Sequence, residues 1–122
     1  MMQSIKSAVL TALQINSAMS TLYGQKFYFQ YPPDFVNLPI GSYFELGNVG
    51  NIYADDQEIG SEIIFQIDLW GKTSLTNYSL GVDSAMTTLD FSRIFTQDFY
   101  EQDSQIYHKS MRYRLDIGEP NF

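Results

Sequence analysis

The chain has 122 residues, seven basic against fourteen acidic side chains, a net charge of −7 and no cysteine. That length suits one domain able to bury about two thirds of its unfolded surface, and 44% hydrophobic and 16% aromatic residues can fill its core. Without cysteine there is no disulfide, no cysteine–zinc site and no thiol nucleophile, which fits a reducing compartment. The acidic balance argues against a general nucleic-acid binder, whose affinity comes largely from neutralising phosphate.

Residues Gln3 to Leu22 read as a helix, with Ile5, Val9, Ala12, Leu13 and Met19 recurring at helical spacing and Gly24 as its stop. The opening segment lacks a signal-peptide pattern, and no run approaches the roughly 18–20 apolar residues that span a bilayer. The expectation is therefore a soluble chain assembled inside a cell.

Lys26 to Tyr31 is a short aromatic strand ended by Pro32 and Pro33, which cannot donate to a ladder. Ser42 to Leu46 predicts a second strand. Gly47 to Ser61 is rich in Gly, Asn and Asp and predicts a long loop at the tip of an antiparallel hairpin. In Glu62 to Trp70, Ile63, Phe65, Ile67 and Leu69 alternate with Ile64, Gln66, Asp68 and Trp70, the pattern of a strand with one apolar face. Gly71 and Lys72 break it, and Thr73 or Ser74 can cap the helix that follows.

That helix carries its buried stripe on Leu75, Tyr78, Val82, Ala85, Met86 and Leu89. Asp90 to Thr96 either closes the helix or opens a strand. Phe99 and Tyr100 then lead into a polar turn, Glu101 to Ser104. The last strand, Gln105 to Ile117, puts Tyr107, Lys109, Met111, Tyr113 and Leu115 on one face and His108, Ser110, Arg112 and Arg114 on the other. The fold class expected is α+β: a single domain over residues 1–122, with a mostly antiparallel sheet, two main helices on one face and a long hairpin loop.

Chemistry-bearing clusters are sparse. Asp55, Asp56 and Glu58 could offer oxygen to a hard cation, but they lack the alternating acids and central glycine of a calcium loop, so they read as a solvated acidic tip. His108, the only histidine, has no serine or cysteine motif beside it and reads as a partly exposed structural residue. Asp68 could be a buried functional acid with a perturbed pKa, but it reads rather as facing solvent or an interface, together with Gln66. No phosphate loop, HExxH or GxSxG is present, so no enzyme activity, cofactor or metal is expected. Position tells more about the charges. No basic residue falls between Lys26 and Lys72, a span that includes Asp55, Asp56 and Glu58, whereas Lys109, Arg112 and Arg114 share one strand. These six residues are the candidate interface, an acidic hairpin of one copy meeting the basic strand of the next in a head-to-tail ring.

The order of the pieces resembles the tail completion, or tail-to-head joining, proteins of long-tailed bacteriophages, a family related to tail terminators. The likeness rests on the leading helix to Leu22, Phe27 to Pro33, Leu38-Pro-Ile-Gly-Ser-Tyr-Phe-Glu45, the Ile67-Asp68-Leu69-Trp70 strand feeding a helix, and the terminal strand. The resemblance implies a structural virion protein of the tail or neck, assembled in the host cytoplasm. It would form a ring, a hexamer on the tail, that ends tube growth and joins tail to head. Its partners would be itself, the tail tube protein and the head-side connector, with DNA passing through the lumen unbound and no membrane contact. The alternatives are another neck or tail tube component or, in a different class, a small cytoplasmic ligand-binding domain with Phe27, Phe29, Tyr31 and Trp70 lining a pocket.

Overall fold

The computed structural model describes residues 2–15, 27–29, 38–54 and 57–118. Their order is α1 (Met2–Ile15), β1 (Phe27–Phe29), β2 (Ile40–Ala54), β3 (Gln57–Gly71), α2 (Thr76–Thr88), β4 (Ser92–Glu101) and β5 (Ile106–Gly118). The sheet order is β1-β2-β3-β5-β4. β2, β3, β5 and β4 form an antiparallel set, and β1 joins the outer side of β2 in parallel, opposite residues 41–43. The expected α+β architecture is the one observed.

The apolar face of β3 is the centre of the core. Ile63, Phe65, Ile67 and Leu69 are all fully buried, and Met111 and Tyr113 extend this face onto β5. Val9, Ala12 and Leu13 of α1 and Val82, Ala85 and Met86 of α2 cover it, so both helices lie on the same side. Each of the buried valine, leucine, isoleucine, phenylalanine and methionine side chains contributes about 1.5–3 kcal/mol by leaving water. Ile5, Tyr78 and Leu89, read as part of the helical stripes, pack at the margin of the cluster. Gly24, Met19 and Leu22, assigned to the first helix and its end, lie outside the described residues, as do Tyr31, Pro32 and Pro33.

Two local readings are corrected and a third is resolved. Gly47 to Ser61 is not a long loop but ladder on both sides: β2 and β3 stay paired out to Ala54 and Gln57, leaving only Asp55 and Asp56 between them. The glycines and asparagines sit in a strand whose register shifts between Glu45 and Gly47 and again between Val49 and Tyr53. Bulges absorb residues that would otherwise read as turn formers. Second, α2 begins after Leu75, which makes no side-chain cap, rather than at Thr73 or Ser74; the Ser74 hydroxyl still accepts the Thr76 N–H at 3.3 Å. The N-cap carbonyl also receives the first helical bond, from Ser79 N–H at 2.8 Å.

The third concerns the end of α2, where both readings of Asp90 to Thr96 hold in part. Leu89 and Asp90 turn, and β4 starts at Ser92. Asp90 takes a left-handed φ of 69°, while its N–H bonds Thr87 O and the Phe91 N–H bonds Met86 O. This closes the last carbonyls in the usual crossed pattern, with Phe91 and Met86 buried over it. Aspartate tolerates that backbone region better than most residues.

Candidate functional site

The sheet face opposite the helices carries the polar chemistry. β3 places Gln66, Asp68 and Trp70 there, and β5 places His108, Ser110 and Arg112 beside them, through the pairs Trp70–His108, Asp68–Ser110 and Gln66–Arg112. β4 adds Phe95 and Phe99 opposite Arg112 and His108. Strand alternation alone puts all eight on one side.

Asp68 is only 5% exposed, which corrects the expectation that it faces solvent or an interface. Its Oδ2 accepts Gln66 Nε2 at 2.9 Å, and its Oδ1 lies 3.1 Å from His108 Nε2. Burial on its own would push this carboxyl upward, but the hydrogen bonds from His108, Gln66 and Ser110 outweigh it and hold the carboxyl below its ordinary range. An ionised carboxylate only accepts, so His108 carries its proton on Nε2. The His108 ring is stacked on both sides. Trp70 lies 4.6 Å away at 14°, and Phe99 lies 5.2 Å away at 26°. His108 is thus partly exposed, its ring held by a buried acid and two aromatic rings.

The candidate interface residues divide. Asp55 and Asp56 lie outside the described residues, and Glu58 stands in β3 opposite Tyr53. The three cations of β5 separate by face and by partner. Lys109 is on the helix side and donates to Asp98 at 3.1 Å. Arg114, on the open side, is 3.6 Å from Glu62 and 3.8 Å from Asp116, so acid and base on neighbouring strands already meet within one chain. Arg112 gives its Nε–H to Gln66 at 2.9 Å, and its guanidinium lies 5.1 Å from the centre of the Phe95 ring. Of the three it is the one on the open face with no carboxylate in contact among the described residues.

Sequence reading passed over the most exposed element. Every residue of β4 is exposed, and the strand forms an outer edge of the sheet. Ile94, Phe95, Phe99 and Tyr100 are each at least 40% exposed there, as is Tyr107 on the adjacent β5. The one detectable signal was composition, four large apolar residues in a ten-residue stretch that shows no alternation of burial.

On the helix side, Arg93 of β4 reaches Asp83 of α2 at 2.6 Å, and the buried Tyr113 hydroxyl donates to the same carboxylate. Burial, then the Asp83 hydrogen bond and charge, push the Tyr113 phenol well above its usual range, so it stays neutral as a donor. A cleft of about 310 Å³ lies between the start of α2 and the β4–β5 edge, lined by residues that include Thr76, Phe99, Tyr107 and Lys109. Trp70 does not line it, and Tyr31 lies outside the described residues, so the pocket expected for a ligand-binding domain is not this one. Among the described residues no group of acids and histidine is placed to hold a metal ion, and no helix is long and apolar enough to cross a membrane.

No family model matches the chain, and no curated protein matches it. A solved structure does. A chain of the "Virion of native gene transfer agent (GTA) particle" superposes at a TM-score of 0.66 with 12% identity, covering 93% of this chain and 93% of that one. At that identity the likeness shows a common fold.

Proposed function

We propose that this chain is a structural subunit of a phage-type virion. It forms a ring at the head-proximal end of the tail, ends growth of the tail tube and joins tail to head. The observation that carries this reading is the fold shared over 93% of both chains with a subunit of a virion particle. The motif-poor sequence and the aromatic outer strand support it, because a docking subunit needs surfaces rather than reactive groups. On this reading the partners are other copies of the chain, a hexamer on the tail, together with the tube subunit and the head-side connector. DNA passes the lumen without specific contact, and the acidic balance lowers its adhesion to phosphate. The reading assigns no catalysis and no cofactor, and places the protein in the tail or neck after assembly in the host cytoplasm.

The test is removal of the coding sequence from cells that produce the particles, followed by electron microscopy of their lysates. The expected picture is filled heads without tails, with tubes either overlong or unattached. Joined particles of normal tail length would refute the proposal, whereas joined heads with tubes of abnormal length would leave the joining role to another protein.

A further inference from the structure

Two surfaces on opposite sides of the molecule lack what such surfaces normally carry. The first is the outer face of α2. Its exposed residues, among them Asn77, Leu80, Ser84, Thr87 and Thr88, include no ionisable group, and Leu80 is 61% exposed. Exposed helix faces are ordinarily charged, and depletion of charge marks the centre of a contact. The acid within the helix, Asp83, is already taken by Arg93 and Tyr113. The first turn holds no acid and the last turn no base, and Asp90 just beyond makes no ion pair among the described residues. Both ends of the helix dipole are therefore uncompensated. The second surface is the β4–β5 half of the open sheet face, where Phe95 and Phe99 stand exposed. Beside Phe95, Arg112 engages only its Nε–H, toward Gln66, among the described residues. Such a sheet face is ordinarily covered by another layer.

We propose that the outer face of α2 of one copy seats on the β4–β5 open face of a second copy, so that each helix layer covers part of its neighbour's sheet. This rests on the ring reading above and names its interface. The two surfaces lie on opposite sides of the sheet, so one chain cannot bring them together. Joining unlike faces is a head-to-tail contact, the kind that closes into rings, whereas like on like would stop at a dimer. A second copy is the occupant because this chain carries both halves of the match. An acidic chain repels its own copies, and a neutral helix face meeting an unpaired cation is where that contact costs least.

The spacings agree. Leu80 and Asp90 are about 15 Å apart along α2 at about 1.5 Å per residue. Phe99 and Phe95, the latter opposite Arg112, are about 13 Å apart along β4 at about 3.3 Å per residue. A helix laid along the strands therefore sets Leu80 against Phe99 and Asp90 against Arg112 at once. Ser84, small and uncharged, then lies over Gln97, between the two rings. Glu101, two positions past Phe99 on the same face, comes to the start of the helix, which has no acid of its own. Arg112 stands at the other end, which has no base. Each end of the dipole thus meets its opposite charge across the contact. The footprint, about 15 Å by the about 10 Å width of a helix, is small against the about 800 Å² per partner of a standard interface, so association through it is weak and concentration-dependent.

The chain has no native cysteine, so the test is direct. Ser84→Cys and Gln97→Cys, both at exposed positions, are purified separately, mixed at high concentration and oxidised, then resolved on a non-reducing gel, beside negative-stain images of the unmodified protein. A mixed disulfide dimer that needs both variants, and a ladder of multimers from the doubly substituted chain, are expected. Adding Arg112→Glu to that chain sets acid against acid and is expected to lower the cross-linked fraction about tenfold, with the circular dichroism spectrum unchanged. Asp90→Asn, which keeps a residue tolerant of the left-handed backbone, is expected to act in the same direction. A dimer from either cysteine variant alone, or a cross-link indifferent to both charge changes, would overturn the pairing. Rings seen in the microscope without the mixed cross-link would overturn this interface and leave the ring reading standing. Monomers in every image, with no cross-link at any concentration, would overturn both.

Discussion

Replacing Phe65 with alanine is expected to lower unfolding free energy by about 3–5 kcal/mol. Phe65 is fully buried at the centre of β3 and meets the edge of the Phe91 ring at 5.8 Å. Around it lie α1, α2 and β5, whose side chains belong to the same cluster. A sheet between two ladders cannot collapse inward to fill the space, so most of the cavity cost is retained on top of the lost transfer energy. Urea unfolding followed by circular dichroism would measure the loss, and the thermal midpoint should fall by more than about 10 °C. The exposed Phe95 serves as the control, since its truncation leaves no cavity. If both substitutions cost the same, the core is not where it is drawn.

Asp68→Ala should come second. It removes the acceptor shared by Gln66, His108 and Ser110. Deleting one member of a buried charged network costs about 3–5 kcal/mol when its partners stay dry. The His108 side chain is 30% exposed and can turn to water, which reduces the expected loss to about 2–3 kcal/mol. The pH dependence gives a sharper signature. Because the carboxyl is held below its ordinary value, the folded state binds its proton more weakly than the unfolded chain does. Its contribution is complete above the unfolded value, about pH 4, and is lost as pH falls through the lower folded value. The stability gap between wild type and Asp68→Ala should therefore be widest near neutrality and narrow in acid. A gap that widened toward acid would mean that Asp68 is stabilised in its protonated form.

The core was readable from the residues because two periods coincide there. Ile63, Phe65, Ile67 and Leu69 alternate as a half-buried strand requires, and Val82, Ala85 and Met86 follow at helical spacing. Both signals arise when one face of an element is dry and the other is wet. β4 gives neither signal, because both its faces are exposed and nothing forces its residues to alternate. The arm from Gly47 to Ser61 was misread for a related reason. Its residues favour turns when taken one at a time, but pairing along a ladder overrides local preference.

Asp68 shows a different limit. Its position among polar residues was correct, yet the dryness of that face comes from Trp70, Phe99 and the flanking strands, and only their assembly reveals it. Of the candidate interface residues, the sequence located the cations of β5 on the right faces. Which of them are already neutralised depends on contacts with Asp98 and Glu62 on neighbouring strands.

The register shift beside Glu45 has a genetic corollary. Glu45 faces Phe65 and Gly47 faces Ile64, so the exposed Leu46 is the surplus residue. Losing one codon inside a strand ordinarily throws every later side chain onto the wrong surface. Loss of the Leu46 codon would instead bring Glu45 and Gly47 into ordinary succession with their partners unchanged. Among the paired residues of β2, this is a place where the reading frame of the ladder can shorten by one and still come out even.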